Sequence, residues 1–286
     1  MRLLAFLFIL CLANNLSAQE RQMILSVSSV LSEEETQTQD LSFGSQIFKD
    51  GFIELSGSRT SYESDDDDED SEVSNSGGLS YGHDLSRYLS VSIEGYKSVE
   101  SEYLKSTENE LSMKIRVNSL WKSYYLTSIS LGRGAKKHTY YRELKNASND
   151  LELDFEEKYS YIGLLQELSD FVSVRYRYTK YEYAEDPNTI PNKKPVILSL
   201  LPDLESLLYG FLDTSQSFGI SIFYKKVSLY FSHNLIVTNI EKETEKANTV
   251  NLGYSFKSFD LTLIRSESIL DDGAIKSSGI EIGYFF

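Results

Sequence analysis

The sequence predicts an all-β protein, a single antiparallel up-and-down transmembrane β-barrel of about fourteen strands. Three observations lead to this prediction. Apolar and polar residues alternate with a period of two along most of the chain, short and long connectors take turns, and the chain ends on an apolar alternating segment, GIEIGYFF. Because side chains alternate between the two faces of a strand, this alternation describes strands with one apolar and one polar face.

The alternation is clearest in the segment 109–118, NELSMKIRVN, where apolar residues occupy every second position. The same criterion places strands at 22–31, 38–48, 52–62, 77–83, 88–99, 109–118, 122–133, 150–165, 170–183, 214–224, 226–239, 248–257, 260–269 and 275–286. The alternation is weakest in the first three of these, which leaves twelve strands as the alternative count. An even number would place both chain ends on the same side of a bacterial barrel.

The connectors between these strands come in two sizes. Short ones include 49–51, 84–87, 168–170, 224–226 and 257–259, and long polar ones cover 32–40, 63–76, 100–108, 134–150, 184–213 and 240–248. Membrane barrels have short turns at one rim and long loops at the other. Aromatic residues near the predicted strand ends suggest interfacial girdles, at Tyr88, Tyr124, Tyr125, Phe171, Tyr181 and Tyr183.

Alternation alone does not say which face points outward. A soluble, secreted β-protein would turn the apolar faces inward, whereas a membrane barrel turns them toward lipid. The alternating connector lengths and the apolar end of the chain favour the membrane barrel.

The chain divides into a signal peptide, 1–18, and one barrel domain, 19–286. Arg2 precedes an apolar stretch, 3–13, and Leu16-Ser17-Ala18 offers a cleavage point. This stretch is too short for a membrane-spanning helix. The formal net charge of −15 makes a nucleic-acid partner improbable, because the phosphate backbone requires cations.

The last strand, IKSSGIEIGYFF, carries a family resemblance. With the signal peptide and the strand meander, it resembles Gram-negative outer-membrane β-barrel proteins of the porin type. In that family a terminal Phe, with apolar or aromatic residues at alternating positions before it, is an assembly signal, and the matching residues here are Ile280, Ile282, Tyr284 and Phe286. The resemblance implies an outer-membrane location and contact with outer-membrane lipids, lipopolysaccharide and the barrel-assembly machinery. It implies no particular activity.

Charged residues on the polar faces indicate the function of the lumen. Six of them are candidate pore-lining residues: Glu94, Lys114, Arg116, Arg175, Arg177 and Glu281. Charged rings set ion selectivity in pores. The expected function is therefore a passive pore or channel for small solutes or ions. The alternative is a closed structural or surface-recognition barrel that acts through acidic external loops, its lumen filled by salt bridges.

An acidic run in the second long connector is a weak metal-binding candidate, formed by Asp65, Asp66, Asp67, Asp68, Glu69 and Asp70. Carboxylate oxygens suit Ca²⁺ or Mg²⁺. The run lacks the Gly and the distal Glu of an EF-hand loop, so a solvated, self-repelling loop is the alternative. No other cofactor is expected.

The connector 184–213 contains all four prolines, which excludes it from a strand interior. Apolar residues recur in it at a three- to four-residue spacing, which predicts a short amphipathic helix with Leu201, Leu204, Leu208 and Phe211 on one face. Such a helix would either constrict the lumen or cover the barrel mouth.

Enzymatic activity is not expected, and no catalytic residue is assigned. The three histidines are His83, His138 and His233, and none has the Ser two residues later that a lipid-modifying barrel enzyme would show. His138 falls in a predicted loop, where a histidine is usually solvated. A lipid-modifying enzyme or a protease stays a minor alternative.

Overall fold

The computed structural model describes residues 23–33, 36–48, 50–62, 72–99, 104–118, 125–142, 151–184, 211–239, 244–270 and 273–285. These residues form fourteen strands: β1 (Met23–Ser32), β2 (Gln37–Phe48), β3 (Gly51–Tyr62), β4 (Glu72–Ser86), β5 (Leu89–Val99), β6 (Leu104–Asn118), β7 (Leu126–Arg142), β8 (Leu151–Ser169), β9 (Val172–Tyr183), β10 (Leu212–Tyr224), β11 (Val227–Thr238), β12 (Thr244–Ser255), β13 (Phe259–Leu270) and β14 (Gly273–Phe285). The predicted signal peptide lies outside the described residues.

Each strand pairs antiparallel with the next, and β1 pairs with β14, so the sheet is a closed barrel. The closing register runs from Ile24 opposite Phe285 to Ser32 opposite Ser277. The predicted fold is thus confirmed, with fourteen strands rather than twelve. No helix in the described part of the chain is long and apolar enough to cross a membrane.

The outer face of the barrel is apolar. Val27 lies opposite Ile282, which lies opposite Leu261 on the next strand. The side chains of Val27 and Ile282 are 45% and 48% exposed, and large apolar residues on the other strands are exposed in the same way. A soluble barrel turns such residues inward, whereas an apolar outward face needs a lipid environment. The polar residues of the same strands face the lumen.

On β13 the outward apolar belt consists of Phe259, Leu261 and Leu263, and on β14 of Tyr284, Ile282 and Ile280. Toward the rim with the long connectors, the outward positions of these two strands continue with Arg265 and Glu267, and with Ser278 and Lys276. Both strands therefore extend past the apolar belt on that side.

Several strands are longer than predicted. β6 begins at Leu104 and β7 continues to Arg142, so most of the predicted loop 100–108 and part of 134–150 are strand. These extensions lie beyond the belt, where neither face is apolar and the period-two signal disappears. The connectors also do not alternate strictly, because only 271–272 lie between β13 and β14.

The expected aromatic girdle is only partly correct. Phe171 and Tyr88 are exposed at the rim with the short turns, at 52% and 41%. Tyr181 instead lines a cavity inside the barrel, and Tyr183 stacks on Phe211 there. The assignment of these two tyrosines to a girdle was wrong because odd-numbered residues of β9 face inward along the whole strand. Tyr125 is buried, at 7% exposure.

The belt predicts a difference between neighbouring residues of β13. Replacing outward Leu261, the central belt residue of this strand, by Lys places a charge against acyl chains, which costs about 2–4 kcal/mol near the membrane midplane. The matched variant Thr262→Lys points the same side chain into the lumen and should cost less than about 1 kcal/mol. Unfolding free energies in phospholipid vesicles measure both, and equal losses would contradict the inside-out arrangement.

Candidate functional site in the barrel lumen

One register row brings together inward residues from seven neighbouring strands, β3 to β9. Each residue lies opposite the next in the row Glu54, Ser80, Glu94, Glu110, Gly134, Tyr159 and Tyr181. The next inward positions on β6 and β8 are Glu108 and Glu157, which line the same cavity. Carboxylates and tyrosine rings thus form one continuous part of the lumen wall.

Two glycines on β7 allow the tyrosine rings to lie against this wall. A Cβ at Gly134 would lie 2.2 Å from Cζ of Tyr159, and a Cβ at Gly132 would lie 2.2 Å from Cε1 of Tyr161. The rings therefore cross β7 where it has no side chains and reach β6. The hydroxyl of Tyr159 lies 2.5 Å from Oε1 of Glu108 and 2.8 Å from Oε2 of Glu110.

Glu110 has three stabilising neighbours in this arrangement. The Tyr161 hydroxyl donates to its Oε1 at 2.7 Å, and Nη2 of Arg177 lies 3.7 Å from its Oε2. The Arg177 guanidinium also lies 3.6 Å from the centroid of the Tyr161 ring, a cation–π contact that orients it. The negative charge of Glu110 is therefore largely compensated.

Glu94 lies opposite Glu110, but its charge is not compensated in the same way. Among the described residues it makes no hydrogen bond or ion pair, and its nearest charged neighbours include Glu110, Glu108 and Glu54. Its side chain is exposed to the lumen. The carboxylate of Glu94 is therefore open to ions in the lumen.

An aromatic cluster narrows the lumen nearer the long connectors. Phe211, the residue before β10, is only 3% exposed. Its ring centroid lies 4.7 Å from that of Tyr183, 5.8 Å from that of Phe155 and 5.9 Å from that of His138. This packing holds the start of β10 against the inner wall of β7 to β9.

Two cavities follow one another along the lumen. The upper cavity, of about 640 Å³, is lined by Glu94, Glu108, Glu110, Glu157, Arg177 and the tyrosines. The lower cavity, of about 570 Å³, lies toward the short turns and is lined by Lys114, Arg116 and Asp84 among others. Nη1 of Arg116 and Oδ1 of Asp84 are 3.2 Å apart.

The six candidate pore-lining residues all occupy inward positions of their strands. Glu94 and Arg177 line the upper cavity, and Lys114 and Arg116 the lower one. The Arg175 guanidinium lies 4.9 Å from the Tyr230 ring centroid, and the Ser26 hydroxyl lies 3.4 Å from Oε1 of Glu281. Their role in a pore stays a prediction.

Sequence reasoning missed the larger part of the carboxylate cluster, namely Glu108, Glu110 and Glu157. Glu108 falls in a predicted loop, and Glu157 lies on the predicted strand 150–165 among apolar and aromatic residues of the same parity. Glu110 already lies in the predicted strand 109–118 with the parity of Lys114 and Arg116, and extending that strand by one residue would have added Glu108. Their proximity to Glu94 depends on the register, which no single strand reveals.

Other predicted sites lie wholly or partly outside the described residues. These are Asp65, Asp66, Asp67, Asp68, Glu69 and Asp70 of the acidic run, Leu201, Leu204 and Leu208 of the predicted helix, and Phe286. Phe211 is described and belongs to no helix. Ile280, Ile282 and Tyr284 face outward, and their role as an assembly signal stays a prediction.

His138 is not a solvated loop residue, as the sequence suggested. It lies on β7, is 4% exposed, and its Nδ1 is 2.8 Å from Oγ of Ser106. A serine beside a histidine is the geometry of an activated nucleophile. Ser106 is only 2% exposed, so a substrate carbonyl has no access to its Oγ, and the pair is structural. Among the described residues, no three His, Cys, Asp or Glu side chains are placed to hold a metal ion.

The lumen as a whole is acidic. Its described cations are Lys114, Arg116, Lys136, Arg175 and Arg177. The carboxylates at inward positions outnumber them and are Asp40, Glu54, Asp84, Glu94, Glu108, Glu110, Glu157, Glu167, Glu245, Asp260 and Glu281. A water-filled lumen with this wall attracts cations.

The contacts of the tyrosine rings with the β7 glycines predict that a Gly→Ala substitution at these glycines destabilises the barrel. Gly134→Ala forces the Tyr159 ring off the wall and should cost about 1–3 kcal/mol of unfolding free energy, as overpacking typically does. Gly82→Ala is the matched control, because a Cβ there meets nothing within 4 Å. Chemical unfolding of the barrel in detergent micelles compares the two, and equal stabilities would contradict the described contact.

No protein-family model matches the chain, and no curated protein sequence matches it. Solved structures do match. The CymD monoaromatic hydrocarbon channel superposes with a TM-score of 0.52 at 9% identity, over 93% of this chain and 87% of its own. OprB of Pseudomonas putida matches with a TM-score of 0.47 at 6% identity, over 93% of both chains. The KdgM porin in complex with disordered oligogalacturonate matches with a TM-score of 0.46 at 10% identity, over 92% of this chain and 99% of its own.

Identities this low are informative about the fold alone, and the CymD match carries that comparison. This match agrees with the resemblance of the sequence to outer-membrane β-barrel proteins. The chain is thus a closed fourteen-stranded barrel, a fold that it shares with the CymD channel.

Proposed function

We propose that the chain forms a passive, cation-preferring pore for small solutes and ions in a bacterial outer membrane. The observation that carries the proposal is the polar lumen, in which two cavities of about 640 and 570 Å³ follow one another. A barrel of fourteen strands is wider than inward side chains fill, so water occupies the remaining space. Diffusion through that water requires no conformational step.

Cation preference follows from the excess of carboxylates in the lumen. Glu94 supports it most directly, because its exposed carboxylate has no hydrogen-bond or ion-pair partner in the described part of the chain. Glu110 contributes less, since Arg177 and two tyrosine hydroxyls compensate its charge. Anions would meet repulsion in the upper cavity before they reach Lys114 and Arg116 in the lower one.

A second candidate function is a closed structural or surface-recognition barrel acting through its acidic external loops. One observation favours it: Phe211 packs inside the lumen against Tyr183 and Phe155 and narrows the upper end. The CymD channel, which has a similar fold, is a channel and not an enzyme, which fits a non-enzymatic role. Contact with the assembly machinery and Ca²⁺ or Mg²⁺ binding at the acidic run are further predictions of the sequence.

Conductance in planar lipid bilayers distinguishes the two functions. The pore predicts discrete, reproducible conductance steps and a reversal potential that favours K⁺ over Cl⁻ in a KCl gradient. A correctly folded barrel that stays electrically silent would rule out the pore and favour the closed barrel.

The carboxylates assigned to selectivity can be tested in the same assay. The double variant Glu94→Gln and Glu108→Gln should lower the K⁺/Cl⁻ permeability ratio by roughly fivefold per charge removed, since a unit charge about 4 Å away in water is worth about 1 kcal/mol. Glu182→Gln is the matched control, because Glu182 lies opposite Lys158 on the outer face. A ratio unchanged in the double variant, or lowered equally by the control, would contradict the assignment.

A further inference from the structure

The inward face of β6 carries an ordered series of charges along the lumen. From the rim with the long connectors toward the short turns, it consists of Glu108, Glu110, Ser112, Lys114 and Arg116. Successive inward residues are two positions apart, so each step covers about 7 Å along the strand. The sign of the charge therefore reverses within one strand, which the attraction of cations alone does not require.

Most charges of this series are compensated inside the protein. A guanidinium and two tyrosine hydroxyls compensate Glu110, and Lys136 lies opposite Glu108 in the register. At the other end, Nη1 of Arg116 lies 3.2 Å from Oδ1 of Asp84. These groups hold the wall of the lumen together and have less attraction left for a passing solute.

Two lumen charges of opposite sign remain available to a solute. Glu94 is exposed and makes no hydrogen bond or ion pair with a described residue. Lys114 is partly exposed and likewise makes no hydrogen bond or ion pair within the described strands. Glu54 lies two strands from Glu94 in the same register row and adds to the acidic end.

The register determines how far apart these two charges lie. Ser90, which lies opposite Lys114, is four residues from Glu94 on β5. At about 3.4 Å per residue and about 4.8 Å between strands, the backbones of Glu94 and Lys114 are roughly 14 Å apart. Between them lie Ser92 and Ser112, whose hydroxyl oxygens are 2.5 Å apart.

The two charges face the two successive cavities of the lumen. Glu94 lines the upper cavity, of about 640 Å³, and Lys114 lines the lower one, of about 570 Å³. The lower cavity also contains two carboxylates, but Asp84 pairs with Arg116. Asp50 lies at the turn before β3, three strands and roughly 14 Å from Lys114. Lys114 is therefore free to attract an anionic group of a solute.

A solute with one positive and one negative end can contact both charges at once. An extended peptide covers about 3.3–3.6 Å per residue, so three or four residues separate the terminal ammonium and carboxylate by about 10–14 Å. We propose that the lumen binds linear peptides of three or four residues during their passage, with the α-ammonium beside Glu94 and the α-carboxylate beside Lys114. The proposal rests on the passive pore proposed above and names a class of solute for it.

The wall between the two charges suits a peptide backbone. Ser92, Ser112 and Ser130 line it, and a serine hydroxyl can both donate and accept a hydrogen bond. Amide N–H and C=O groups of a peptide can therefore exchange water for these hydroxyls. The small serine side chains also leave space for the side chains of a peptide, so the site reads the two ends and the length rather than the sequence.

Titration of the full barrel in detergent micelles with triglycine, followed by saturation-transfer NMR, tests the peptide site. Lys114→Gln should weaken triglycine binding about fivefold, since a unit charge about 4 Å away in water is worth about 1 kcal/mol. The same variant should not weaken the binding of triglycine amide, which has no carboxylate. Glu94→Gln should likewise weaken triglycine about fivefold and leave N-acetyl-triglycine unaffected.

Matched controls remove the same residue types from the outer face. Lys97→Gln on β5 and Glu182→Gln on β9 should change the triglycine affinity less than about twofold, because water and salt screen distant surface charges. Heat-modifiable gel mobility verifies that each variant is folded. Unchanged triglycine affinity in Lys114→Gln or Glu94→Gln, or an equal loss for the capped peptide, would overturn the proposal.

The parent barrel supplies a test that needs no substitution. Triglycine and tetraglycine should bind more tightly than diglycine, whose two charges are closer together. They should also bind more tightly than 8-aminooctanoic acid, which has a charge spacing similar to that of triglycine and no amide groups. Equal affinity for diglycine would overturn the length requirement, and equal affinity for 8-aminooctanoic acid would overturn the assignment to peptides.

Conductance of the same parent barrel separates this proposal from the pore itself. Discrete conductance steps in a barrel that does not bind triglycine would overturn the peptide site alone. An electrically silent barrel would overturn the pore, and the passage of peptides with it.

Discussion

Closure of the sheet is the constraint on which the rest of the structure depends. A membrane interior offers no partner for an unpaired backbone N–H or C=O group, so a sheet can cross it only without edges. Here β14 meets that requirement, because it pairs with β13 on one side and with β1 on the other. The apolar, alternating end of the chain follows from this role. This alternation suits a closing strand, because Ile280, Ile282 and Tyr284 face lipid and Glu281 faces the lumen.

Closure also separates the charges of the molecule. Polar and apolar residues alternate along each strand, so carboxylates face the lumen and large apolar residues face outward. Tyr159 and Tyr161 then organise the inward carboxylates, because Gly132 and Gly134 allow the rings to cross β7. Much of the negative charge of the described strands therefore faces the lumen, where it attracts cations, while the apolar belt faces lipid.

The sequence predicts a strand only where apolar residues occupy one of its two faces, so the prediction succeeded in some parts of the barrel and failed in others. Within the belt the alternation predicted the strands and their number correctly. Beyond the belt, β7 has the polar residues Lys136 and His138 at inward positions and Lys137 and Thr139 at outward positions, so this part of the strand was predicted as a loop. The carboxylate cluster was missed for a different reason. Glu94 and Glu110 become neighbours only through the register of β5 and β6, which depends on every hydrogen-bonded pair along the two strands.

Spin labels at single cysteines along β14 test the inside-out alternation most directly. The chain has one cysteine, Cys11, in the predicted signal peptide, so the barrel domain offers no competing thiol. Labels at Ile280 and Ile282 in liposomes should be accessible to dissolved oxygen and shielded from a water-soluble nickel complex, whereas labels at Ser277, Glu281 and Gly283 should show the reverse. A two-residue period is the result that this structure predicts. Equal accessibility of all five positions to the nickel complex would contradict the membrane barrel.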